Sequence, residues 1–262
     1  MNNMDFTIEE LTMNAWPSLQ TLLFNGWIIR MAGGYTKRAN SINPIYSYEN
    51  NYKANLINSI CSSEIKLNEK INYCENLFKS NNLPTVFKII DCEEYNILDK
   101  ELEKLNYNKV DLTSVQICNE IKQTLIHEKL IVENKITDNW EKCFYSCYNI
   151  DNIEKMEIIE KMLKNIKRPI ICVHKTVNHN SIGCGYGVIE RGFVGLFDII
   201  VKEEYRGKGI GKEIVETILT ESKKKGVNKA YLAVVDNNIV AKNLYQKIGF
   251  NEIYKYWYRK KD

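Results

Sequence analysis

The chain has 262 residues, which suits one large domain or two ordinary ones at roughly 100–200 residues each. Apolar residues make up 44% and charged residues 26%, a balance that excludes a largely disordered chain. A formal charge of only +3 (36 basic against 33 acidic side chains) argues against a dedicated nucleic-acid binder, which concentrates its basic residues on one face. No run approaches the roughly 20 apolar residues of a bilayer span. Met1-Asn2-Asn3-Met4-Asp5 lacks the basic and then apolar regions of a secretory signal, so a cytoplasmic protein without membrane partners is expected.

In chain order, Trp27-Ile28-Ile29-Arg30-Met31 reads as a strand, Gly33-Gly34 as a turn, and Ala39-Asn40-Ser41-Ile42 as a second strand. A polar helix is expected over Asn68–Lys79, with Ile71, Leu77 and Phe78 on its apolar face. A buried strand Thr85–Ile90, a helix Ile97–Leu105 and a strand Val110–Ile117 follow. The polar stretch Glu120–Ile136 reads as a linker, and Trp140–Lys164 as helical pieces. Ile170–His174 and Ile182–Glu190 form a hairpin around Asn178-His179-Asn180-Ser181, the second strand made flexible by Gly183, Gly185 and Gly187.

Eight cysteines (Cys61, Cys74, Cys92, Cys118, Cys143, Cys147, Cys172 and Cys184) are spread along the chain without a C-x-x-C. His127, His174 and His179 do not stand at zinc-ligand spacing from them. They read as free thiols, mostly small buried hydrophobes, and no metal is expected. Cys143 and Cys147 share a helix face, but two thiolates do not close a metal site.

The chemistry concentrates after the strand Val194–Val201. There Arg206-Gly207-Lys208-Gly209-Ile210-Gly211-Lys212 opens a helix with an apolar stripe of Ile210, Ile214, Val215, Ile218 and Leu219. The helix ends on a basic turn and Gly226. A glycine-rich turn between strand and helix is an anion site: unpaired N–H groups converge, and the helix dipole favours negative charge. The dinucleotide fingerprint does not fit, because the x-x-G spacing is missing, and no Gly-Lys-Ser/Thr ending supports a nucleoside-triphosphate loop. A second apolar strand, Ala230–Val235, leads through Asp236-Asn237-Asn238 into a helix with Ala241, Leu244, Tyr245 and Ile248 on one face. Gly249-Phe250 ends it before a last strand, Glu252–Arg259.

Arg206-x-x-Gly209-x-Gly211 followed by Asn238-x-x-Ala241-x-x-Leu244-Tyr245-x-x-x-Gly249-Phe250 resembles the two acetyl-CoA motifs of the GNAT superfamily of N-acetyltransferases, over about residues 128–262. The resemblance implies an α/β fold of two GNAT-like modules, each a mixed, mostly antiparallel sheet flanked by helices. It implies an enzyme that uses acetyl-CoA as cosubstrate to acetylate a primary amine, in a small molecule or a protein. Ile199, Ile200 and Val201 then correspond to the strand that pairs with the pantetheine arm. Gly207, Lys208, Gly209, Ile210, Gly211 and Lys212, with Arg206, correspond to the pyrophosphate loop. Asn238 and Ala241 stand near the pantetheine.

Tyr245 corresponds to the tyrosine that protonates the leaving thiolate, although a packed aromatic is the plain alternative. For the base, Asp198 and Glu190 are both candidates, and Asp198 can equally mark a bulge in its strand. A non-catalytic acyl-CoA sensor remains the alternative from another class.

The first half resembles the same module in degraded form, which divides the chain into a non-catalytic domain, 1–125, and a catalytic one, 126–262. Asn106 and Tyr107 stand at Gly249 and Phe250, and Leu102 stands where Tyr245 does. Ala15-Trp16-Pro17 and Gly26-Trp27 look like segments of tandem bacterial acetyltransferases. Trp16, Trp27 and Tyr35 read as core aromatics, with a pocket lining as the alternative. The last strand is expected to leave an edge that a homodimer can use.

Overall fold

The computed structural model describes residues 3–44, 65–122, 130–178 and 180–262. Cys61, His127 and His179, with part of the expected linker, lie outside the described residues. The chain divides into two compact units, and no single cut separates them. One unit is Met1–Ser114 with Val235–Asn237 and Tyr254–Asp262; the other is Val115–Val234 with Asn238–Ile253.

The first unit contains α1 (Asn3–Ala15), β1 (Gln20–Phe24), β2 (Trp27–Met31), β3 (Ile42–Asn43), α2 (Leu67–Ser80), β4 (Thr85–Ile90) and α3 (Asn96–Lys104). Its sheet runs β1-β2-β3-β4 and is completed by the end of β11 (Asn251–Lys261) and the start of β5 (Asn108–Cys118). Only β3 and β4 pair in parallel here among the registered strands.

The pairing of Trp27–Met31 with the segment ending at Ile42 forms as the sequence suggests, Ile29 standing opposite Ile42, and an additional hairpin precedes it. Its tight turn is Asn25-Gly26 between β1 and β2, where φ is +46° and +81°. Positive φ at both central residues is the turn whose twist matches paired strands, and Asn-Gly supplies it. β1 leaves no clear sequence signature because it is mostly exposed and lacks a clean apolar alternation. Gly33-Gly34 lies instead on the longer path to β3, which is shorter than expected because Lys37–Ala39 forms a helical turn. Gly26→Ala should lower stability by about 1 kcal/mol, the cost of a left-handed non-glycine residue, read as a shifted urea midpoint.

Trp16 and Trp27 are core residues, 1% and 0% exposed. Buried charge in this unit is paired: Lys88 Nζ on β4 donates to both carboxylate oxygens of Glu9 at 2.7 and 2.6 Å, and Tyr254 Oη donates to Glu9 at 2.6 Å. Such pairs persist because removing one partner leaves an uncompensated buried charge. The expected free edge of the last strand is corrected: Tyr256–Lys261 pairs antiparallel with Thr85–Ile90, so the backbone there is already used.

The second unit holds the end of β5, β6 (Ile131–Glu133), α4 (Asp138–Tyr148), α5 (Ile153–Lys164), β7 (Ile170–Val177), β8 (Asn180–Glu190), β9 (Phe193–Val201), α6 (Ile210–Lys224), β10 (Lys229–Val235) and α7 (Ile239–Ile248). Its strand order is β5-β10-β9-β8-β7-β6. β6, β7, β8 and β9 pair antiparallel, and β9 pairs with β10 in parallel. The fold is thus mixed α/β, with open, mostly antiparallel sheets and helices packed on them.

The stripe read from the sequence is the core of this unit: Ile214, Val215 and Ile218 of α6 are 0% exposed, packed with Ile171, Val173 and Val194. Each such side chain contributes about 1.5–3 kcal/mol by leaving water. The glycines of β8 permit close approach rather than flexibility. A Cβ at Gly187 would stand 2.5 Å from Ile218 Cγ2, and one at Gly185 would stand 3.1 Å from Ile214 Cγ2.

Candidate active site

Two features of β9 set the geometry. Opposite Cys184 and Tyr186 of β8 stand Ile200 and Phe197, so three steps along β9 face two along β8. The extra residue makes a bulge, and Asp198 takes it up with φ +49°. A short polar residue tolerates this conformation better than a β-branched one. On the other side, β10 pairs with β9 only from Lys229–Tyr231 to Phe193–Gly195. The register with β10 ends at Gly195, and beyond it β9 is registered only against β8, up to Val201.

The loop follows. Arg206 Nε donates to the carbonyl of Val201 at 3.1 Å, which pins the loop to the end of β9. Gly207 and Gly209 have φ +74° and +81°, and a Cβ built on either meets nothing within 4 Å. Glycine is needed here for the backbone conformation, and the space beside it is open. Gly209 immediately precedes α6, whose first-turn N–H groups have no partners within the helix. Lys208 Nζ donates to the Glu204 carbonyl at 3.1 Å, and Lys212 stands 3.6 Å from Glu216. Each lysine thus contacts a residue four positions away in its own segment. A Cβ at Gly211 would lie 3.8 Å from Val201 and 3.9 Å from Leu244, so β9, α6 and α7 meet at this point.

On α7, Asn238 is the N-cap: its Oδ1 accepts from Ala241 N at 3.1 Å. Tyr245 lies one helical face on, 8% exposed, its ring edge-on to Phe250 at 5.9 Å. Burial alone pushes its phenol up to about 12, so it stays protonated near neutral pH. The helix closes on Gly249 at φ +110°, with Gly249 N and Phe250 N both donating to the Tyr245 carbonyl. The corner after α3 in the first unit is built alike: Asn106 has φ +63°, and Tyr107 N donates to Leu102 O at 2.9 Å.

Of the two candidate bases, Asp198 sits on the bulge and accepts a hydrogen bond from the Tyr148 hydroxyl at 3.1 Å. Glu190 sits at the other end of the β8–β9 pair, opposite Phe193, and is ion-paired with Arg168 at 3.2 Å. That position and that partner take Glu190 out of the site. Tyr148, at the end of α4, is the residue that sequence reasoning missed, because only the fold brings it to Asp198.

Residues 134–250 match the model of the acetyltransferase (GNAT) family. Along its length the chain is similar to a Bacillus subtilis protein described as the uncharacterized N-acetyltransferase YobR, 26% identical over 96% of both chains. It is also 39% identical over 57 residues to the ribosomal protein bS18-alanine N-acetyltransferase of Escherichia coli, a match of 22% of this chain and 38% of that enzyme. A solved GNAT structure from Kribbella flavida shares the fold with a TM-score of 0.65 at 9% identity, covering 97% of this chain and 94% of that one. The chain carries a GNAT acetyltransferase domain over residues 134–250, and that domain is consistent with an acyltransferase. None of the helices among the described residues is long and apolar enough to cross a membrane.

Proposed function

We propose that the second unit transfers the acetyl group of acetyl-CoA to a primary amine. One observation carries this reading: β9 bulges at Asp198 and is registered with β10 only as far as Gly195, directly before a left-handed glycine loop that opens α6. That arrangement suits a ligand with an amide-bearing arm and a pyrophosphate. The arm pairs with the backbone of Ile199, Ile200 and Val201 like an added strand. The pyrophosphate lies against the N–H groups from Gly207 to Lys212, with Arg206 and Lys208 at the rim. Asn238 holds the start of α7 in place, and Ala241 offers a small surface to the pantetheine.

The acceptor enters as an amine. An alkyl ammonium has a pKa near 10.4 and must lose a proton first. Asp198, acting through water, takes that proton in this reading. The amine nitrogen then attacks the thioester carbon, the C–N bond forms, the C–S bond breaks, and Tyr245 gives its phenolic proton to the departing sulfur. The first unit does no chemistry, because Leu102 at the matching position of α3 carries no proton. Its likeness to the second lies in the shared corner construction at Leu102–Tyr107 and Tyr245–Phe250.

Thiol release from acetyl-CoA with a panel of primary amines, including peptides with a free N-terminus, tests the reading. Amine-dependent release is expected. Tight acetyl-CoA binding without turnover on any amine would instead mark a sensor.

A further inference from the structure

The thiols of Cys143 and Cys147 point from one face of α4, as their i, i+4 spacing requires. β8 brings a third thiol to them. The Sγ atoms of Cys143, Cys147 and Cys184 all lie within 4.8 Å of one another, and Cys143 and Cys147 are 4.0 Å apart. A cation held by three sulfurs at about 2.3 Å in a plane would space them about 4.0 Å apart. The sulfurs therefore need to close by less than an ångström to share one ion.

We propose that Cys143, Cys147 and Cys184 form a three-thiolate site for a thiophilic d10 cation, Cu(I) or Zn(II). Three properties support the assignment. First, the donor set is sulfur alone, the chemistry that selects Cu(I) and Zn(II) over oxygen-seeking ions. Second, Cys143 and Cys184 are 0% exposed and Cys147 is 7% exposed, so the cage is shielded and has one more open side for entry. Third, the ligands stand on well-formed elements. Cys184 pairs with His174 of β7 and Ile200 of β9, and Cys143 Sγ lies 3.4 Å from the Gly183 carbonyl.

Binding releases the three thiol protons as three M–S bonds form. Three-fold sulfur coordination suits Cu(I), whereas Zn(II) would take a fourth ligand from solvent. Packing of small buried hydrophobes explains single cysteines such as Cys172, but not three sulfurs converging on one point.

Loading would tie α4 to β8 at the rung beside Ile200, so metal is expected to raise the melting temperature by mass action. The inference is independent of the acetyl-transfer reading.

The test uses the full-length, reduced protein under anaerobic conditions, titrated with Cu(I) against bicinchoninate and, separately, with Zn(II) against a chromophoric chelator. One equivalent of Cu(I) should be retained, with X-ray absorption reporting three sulfurs at about 2.2–2.3 Å. Cys184→Ser and Cys147→Ser should each lose at least tenfold in affinity, and Cys92→Ser should lose none. One equivalent of Zn(II) at the same sulfurs without Cu(I) retention also upholds the site and assigns it to zinc. Retention of neither metal by the wild type, or equal retention by the folded Cys147→Ser protein, would overturn it. The wild-type absorption spectrum decides the matter even if Cys184→Ser fails to fold.

Discussion

Gly209→Glu should abolish measurable acetyl-CoA binding while the protein stays folded. The substituted side chain starts where a Cβ meets nothing within 4 Å, in the space assigned to the pyrophosphate. Two like charges about 4 Å apart near a protein surface repel by about 4 kcal/mol, close to a thousandfold in affinity. The φ of +81° adds about 1–2 kcal/mol of backbone strain, small against the stability of a packed core. Gly209→Ala separates the two effects, since it carries the strain without the charge and should bind far better than Gly209→Glu. Calorimetric titration of acetyl-CoA, with circular dichroism to confirm folding, reads both. An unchanged Kd in Gly209→Glu would remove the phosphate-loop assignment.

Tyr245→Phe should lower kcat and kcat/KM together by roughly tenfold to a hundredfold, with acetyl-CoA affinity little changed. General acid catalysis contributes about 10²–10⁴-fold, and the lower part of that range applies because a thiol with a pKa near 8.5 is already a fair leaving group. Equal loss in both parameters is the mark of an interaction made in the transition state. Burial raises the phenol to about 12, so its ionisation should impose no alkaline limb below about pH 10. The same shift has a sign for stability. An unfolded tyrosine ionises near 10 and the folded one near 12. Tyr245 therefore destabilises the fold only as pH rises through 10 to 12, and Tyr245→Phe should soften that alkaline loss. A purely structural tyrosine would leave turnover intact and lower the melting temperature instead.

What the sequence made legible was whatever local physics decides. The apolar stripe of α6, the continuous strand Thr85–Ile90 and the caps at Asn238 and Gly249 follow from periodicity and backbone preference, and they stand where expected. The loop from Arg206 to Lys212 was legible because left-handed turns demand glycine.

Other features depend on pairing between distant segments. The bulge at Asp198 arises from the register of β9 against β8, which no local pattern encodes. Tyr148 reaches Asp198 only once α4 packs on the sheet, and Cys184 joins Cys143 and Cys147 for the same reason. The end of β11 carries the consecutive aromatics Tyr256, Trp257 and Tyr258, which suit many partners, and its pairing with β4 is a tertiary choice. Asn25-Gly26 was readable in principle as a hairpin turn, but the exposed β1 beside it hid the signal.

A crystal structure of the protein with acetyl-CoA bound tests the central claim most directly. The account predicts the pantetheine arm paired along Ile199–Val201 of β9, the pyrophosphate on the N–H groups of Gly207–Lys212, and the thioester sulfur within hydrogen-bond reach of the Tyr245 hydroxyl. Acetyl-CoA bound elsewhere, or with its sulfur remote from Tyr245, would contradict it.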